Sequence, residues 1–133
     1  MNDASKLGRE LTYEIADGLA QASSLILELR IALRLAAKPG DEHADEDRLE
    51  QLENQLDQMV ILFRAYGIYL LGQAAQAPIA EINDAIAHAR QNLKKVTDLK
   101  HHITTATRLV ELGAAILSRD PLAMVKAARS LHS

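Results

Sequence analysis

Residues 79–117 read IAEINDAIAHARQNLKKVTDLKHHITTATRLVELGAAIL, and a single spacing runs through them. Ile79, Ile82, Ile86, Ala89, Leu93 and Val96, then Lys100, Ile103, Thr107, Val110, Ala114 and Leu117, recur at intervals of three and four. Such intervals return to one face of an α-helix, which turns once every ~3.6 residues. A stripe of this length has to be buried along partner helices. The spacing therefore predicts one helix over 78–118, inside an all-α antiparallel bundle of three long helices with a short fourth at the C-terminus.

Working outward, the punctuation divides the rest of the chain. Lys38-Pro39-Gly40 closes a first helix over 4–37, since Pro39 disfavours helix at Lys38 and Gly40 accepts a turn. Its face holds Leu11, Ile15, Gly18, Ala22, Leu25, Leu29 and Ala32, flanked by Leu19, Ile26 and Leu33. Leu27, Ile31 and Leu35 widen the apolar surface toward the helix end, where two partners are expected. The acidic run Asp41 to Asp47 opens a second helix over 45–76, because carboxylates cap free amides and favour the positive end of the helix dipole. Its face is Leu49, Leu52, Leu56, Met59, Phe63, Tyr66 and Leu70. Pro78 suits the first turn of the third helix. Asp120-Pro121 reads as a cap followed by proline at the first helical position, starting a fourth helix over 121–131.

Composition narrows the function classes. At 133 residues the chain is long enough for one real core without staples. It has no cysteine, which removes disulfides, thiolate metal sites and cysteine nucleophiles. Aromatics are confined to Phe63, Tyr13, Tyr66 and Tyr69, a poor supply for lining a ligand pocket. The N-terminal residues lack a secretory pattern and no apolar window reaches the ~20 residues of a membrane span, so a cytoplasmic protein is expected. A net charge of −3 carries no gross bias toward polyanions.

Short connections make consecutive helices antiparallel, so register is estimated by reflecting residue numbers about each loop. Tyr13 then falls near Tyr69, Phe63 near Asn92, Lys100 near Gln55 and Arg108 near Asp47. The basic group Arg90, Lys94, Lys95, Lys100 and Arg108, with His88, His101 and His102, is accordingly expected to face Glu46, Asp47, Glu50, Glu53 and Asp57. Neutralisation inside the fold is preferred to nucleic-acid binding, and such exposed pairs serve register more than stability. The third helix outruns the second, leaving Leu112, Ile116 and Leu117 to be covered by Leu122, Val125 and Leu131 of the fourth helix or by another chain.

Chemistry finds few candidates. Asp84 with His88 and Asp98 with His102 are spaced i,i+4, which suits a surface pair as well as a metal, and His101 and His102 diverge by ~100° on a helix. There is no phosphate loop, nucleophile elbow or zincin motif. Lys100 and Thr107, the polar residues on the main face, read as register-setting positions. Gly18, Gly67 and Gly113 among alanines suit close helix approach. No cofactor and no catalytic residue is assigned.

The residues thus point to a non-catalytic protein-binding module: an adaptor, a chaperone-like factor or an immunity-type inhibitor of a partner protein. Immunity proteins that block bacterial toxins exemplify such small acidic chains, although no motif ties this one to them. The expected partner surface comprises Glu46, Glu50, Glu53 and Asp57 at the acidic helix start, Tyr69, and Leu112 and Ile116 on the overhang. A homo-oligomer built through the long apolar faces is the second reading, and a metal-dependent helical enzyme the third.

Overall fold

The computed structural model describes residues 3–40, 43–71, 76–95, 98–118 and 120–132, and the side chains of 13–40, 43–65, 79–95, 98–118 and 120–132. Among them every regular element is an α-helix: α1 Asp3–Ala36, α2 Ala44–Leu71, α3 Gln76–Lys95, α4 Leu99–Leu117 and α5 Pro121–Ser130. Gly40 takes a φ of 93°, the left-handed conformation that ends the α1 connection. Acidic residues Asp45, Glu46 and Asp47 occupy the first turn of α2, where the dipole favours them.

The expected long third helix is two helices. Asp98 has extended backbone and its Oδ1 accepts from the Lys100 amide at 3.3 Å, so it caps a new helix rather than continuing the old one. A short carboxylate competes for backbone amides and is favoured at such a start. Restarting the helix also resets its phase. Ile79, Ile82, Ala85, Ile86, Ala89 and Leu93 of α3 are buried as the spacing requires. In α4 the buried positions are His102, Thr105, Ala106, Leu109, Leu112, Gly113 and Ile116. Lys100 is exposed and Ile103, Thr107 and Val110 are half-buried, so the seam runs one residue earlier than an uninterrupted helix would place it, a rotation of ~100°. Thr107 is half-buried at the side of the seam, and its Oγ1 donates to the Ile103 carbonyl of its own helix at 2.8 Å.

The neighbours differ from a simple reflection as well. α1 packs on α2 and on α3, α2 packs on α4, and α5 packs between α4 and α3, which touch each other only slightly. Arg30 pairs with Glu53 and Arg64 with Asp17, so α1 and α2 run antiparallel with the numbering descending on one as it rises on the other. α3 therefore lies on α1 and not along α2, and the expected proximity of Phe63 to Asn92 does not occur through an α2–α3 seam. Phe63 is instead part of the common core with Leu19, Leu56, Ile86, Leu109 and Met124.

Two close approaches tie these layers. A Cβ on Gly18 would stand 2.7 Å from Ile86 Cγ2, and one on Gly113 would meet the Met59 sulfur. The absence of those methyls lets α1 approach α3 and α2 approach α4. Gly67 falls outside the residues whose side-chain surroundings are described.

α5 begins as expected, with Pro121 at its start and Asp120 Oδ1 accepting from the Leu122 amide at 3.1 Å. The face it turns inward matches the expectation at Leu131 and departs from it at Leu122. Met124, Ala128 and Leu131 are buried, Val125 is half-buried, and Leu122 is exposed. Arg108 Nη1 donates to the Ser130 carbonyl at 3.0 Å, satisfying an end-of-helix acceptor of α5.

Candidate partner-binding surface

The acidic start of α2 is answered by α1. Arg30 Nε donates to Glu53 Oε1 at 2.8 Å and its Nη1 lies 3.8 Å from Glu50; Arg34 Nε lies 3.6 Å from Glu46, whose carboxylate also meets His43 Nδ1 at 3.3 Å. Asp57 accepts from the buried Ser23 hydroxyl. The hydrogen bond that Arg30 donates to Glu53 holds the guanidinium above its ordinary pKa, against the opposing effect of burial. These contacts occur at regular levels along the α1–α2 seam and fix its register.

This corrects the expected charge partners. Arg108 bonds to the end of α5 instead of approaching Asp47. None of the ion pairs seen among the described residues involves Lys94, Lys95 or Lys100, all exposed. Lys94 and Lys95 occupy the last turn of α3, the negative end of its dipole. The chain is charge-polarised as a result. Up to residue 75 it carries thirteen acidic and seven basic residues, and from 76 onward five acidic and eight basic.

The expected partner residues separate into four groups. Leu112 and Ile116 are core, enclosed within the chain once α5 packs on α4, so they offer no surface. Glu53 is buried under Arg30, and Glu46 and Asp57 are engaged with Arg34 and Ser23. Glu50, 3.8 Å from Arg30, and Asp57 remain exposed at the edge of the seam. Tyr69 and Tyr66 have side chains outside the described residues, and with them the expected pairing of Tyr69 with Tyr13, which is itself exposed.

The surface that emerges is one the sequence reading assigned to the interior. Leu27, Ile31 and Leu35, expected to be covered, are 39%, 50% and 83% exposed. With Tyr13 they lie on the outer side of α1, and Ile61 lies on the outer side of α2. Both helices bury the opposite side, through Leu19, Ala22 and Ile26 on α1 and Leu49, Leu52 and Leu56 on α2. The ion pairs Arg30–Glu50 and Arg34–Glu46 bring the start of α2 to the level of Ile31 and Leu35 on α1, and Asp47 and Glu50 are exposed on that part of α2. Glu28 borders the same apolar ridge from α1, and both Glu28 and Asp47 are exposed with no ion pair among the described residues.

Two histidines meet, without a third ligand beside them among the described residues. The His88 ring lies against that of His132 with centroids 4.7 Å apart, and Asp98 is committed to capping α4. Among the described residues no group of three or more His, Asp or Glu could hold a metal ion, and no helix is long and apolar enough to cross a membrane. Comparison with known proteins finds no match, whether among family models, curated proteins or solved structures.

Proposed function

We propose that the chain is a non-catalytic protein-binding module whose contact surface is the outer face of the α1–α2 pair. The observation that supports it is the apolar ridge Leu27, Ile31 and Leu35, left in water at successive i,i+4 positions. Single exposed apolar residues are ordinary, but an aligned set on one helix favours contact with another surface. The adaptor, chaperone-like and immunity-type readings all use such a face. The test compares immobilised wild-type protein with the Ile31→Ser/Leu35→Ser variant, after confirming equal thermal stability. Proteins retained by the wild type and lost by the variant are the expected result. Identical retention by the two discards this face as the contact surface.

A second reading is self-association, favoured by the exposed lysines at 94, 95 and 100 on the basic half of the same chain. Basic half against acidic half is a head-to-tail contact, which propagates into rings or filaments. Native mass spectrometry across a concentration series separates this reading, which requires multiples of 14.6 kDa, from the first.

A further inference from the structure

We infer that the outer face of α1 receives an amphipathic cationic helix of a partner protein, its apolar side on Leu27, Ile31 and Leu35 and its cations facing Glu28, Asp47 and Glu50. This rests on the partner-binding reading above and names the chemistry of the partner. Three observations lead to it.

The first is shape. Leu27, Ile31 and Leu35 form one stripe along two helical turns, ~12 Å long at ~1.5 Å per residue. The second is the backbone. A helix surface offers side chains and no free amides, so a segment laid along it must satisfy its own backbone groups. A helix does this internally, with apolar residues at matching three- and four-residue intervals. An extended peptide would find no strand edge to pair with and would gain no backbone hydrogen bonds from this surface.

The third is charge. On the described parts of α1 and α2, residues 13–36 and 44–65, nine acidic residues stand against four basic ones. The four basic residues include Arg30, Arg34 and Arg64, already engaged with Glu53, Glu46 and Asp17. Arg48, exposed next to Asp47, and Lys38, exposed just beyond α1, offset part of this charge, while Glu28, Asp45 and Asp47 are exposed with no ion pair among the described residues, so the balance over these two helix segments is negative. A second copy docked through the same face would place these carboxylates against themselves, since a two-fold contact sets each patch on its own image. A helix bearing lysine or arginine beside its apolar stripe meets the opposite sign, which favours encounter and orientation.

The probe is a fluorescein-labelled peptide of leucine and lysine in an amphipathic helical pattern, about five turns long, with a leucine/glutamate peptide of the same pattern as its counterpart. Anisotropy titrations use the full chain, Ile31→Ser/Leu35→Ser, and Glu28→Lys/Asp47→Lys, each first shown to melt like the wild type. The lysine peptide should bind the wild type and weaken by about tenfold or more in both variants, and the glutamate peptide should bind only the charge-reversed variant. If instead the glutamate peptide binds the wild type and Ile31→Ser/Leu35→Ser abolishes that binding, the cationic partner is wrong and the binding face survives. Lysine-peptide binding indifferent to both variants overturns the inference as unspecific attraction. A wild-type oligomer that Ile31→Ser/Leu35→Ser converts to monomer also overturns it, by assigning the face to a second copy.

Discussion

Arg30 and Glu53 meet across the α1–α2 seam with Nε donating to Oε1 at 2.8 Å, both side chains largely withdrawn from water. The contact joins the last two turns of α1 to the first half of α2, and a one-residue slip of either helix would break it. Removing one partner of such a pair leaves the other charge without compensation.

Glu53→Ala should therefore destabilise the fold by about 2 kcal/mol, less than a fully buried pair because Arg30 keeps some access to water. Asp17→Ala, which removes the exposed partner of Arg64, should leave the midpoint unchanged. Urea titrations of both variants provide the comparison, and equal midpoints would show that the Arg30 pair contributes nothing beyond a surface contact.

The two tight glycines should respond differently to alanine. At Gly18 the obstruction is Ile86 Cγ2, carried by a β-branched side chain with little rotamer freedom in a helix. Gly18→Ala should cost about 1–2 kcal/mol even after the gain in helix propensity. At Gly113 the obstruction is the Met59 thioether, which can swing aside, so Gly113→Ala should be close to neutral. Chemical denaturation that ranks Gly113→Ala as the worse variant would contradict this account of the two contacts.

Asp98→Ala should lower stability by about 1 kcal/mol by removing the acceptor for the Lys100 amide at the start of α4. Asp98→Asn and Asp98→Ser, which keep a capping oxygen, should restore most of it. Thermal melts of the three variants test whether the break between α3 and α4 depends on the cap.

Leu112→Ala should cost about 2–5 kcal/mol, as expected for emptying a core site. Leu35→Ser, at the exposed end of α1, should change stability by less than about 0.5 kcal/mol. Parallel urea curves decide this, and a large loss at Leu35 would mean that the residue is covered in solution. The contrast also bears on function, since only the second position can be altered without disturbing the fold.

Helical character, and the ends of α1 and α5, were legible because their signals are local. Apolar intervals of three and four, Pro39-Gly40 and Asp120-Pro121 act within one or two turns of chain. The break at Asp98 was written locally too, as a capping residue following two lysines suited to a helix end, but the continuous apolar spacing masked it. The spacing extends through the break only by counting Lys100 and Thr107 as core positions, and that was the available warning.

The candidate surface was less legible. Leu27, Ile31 and Leu35 have the residue types of a core face, and only the positions of other helices determine whether such a face is covered. What the sequence by itself determined is the all-helical character, the amphipathic faces of most segments, the capped start of α5 and the unequal charge of the chain's two halves, because these follow from residues near one another or from simple counts. The tertiary structure decided that α3 lies on α1, that α5 enters between α3 and α4, that Arg30 rather than a lysine of the third segment faces Glu53, and that the end of α1 stays in water. Neighbour choice depends on fitting all the apolar faces into one core at once, with close approach permitted at Gly18 and Gly113. Reflection about successive loops assumes that helices adjacent in sequence are adjacent in space, and packing against a shared core does not require it.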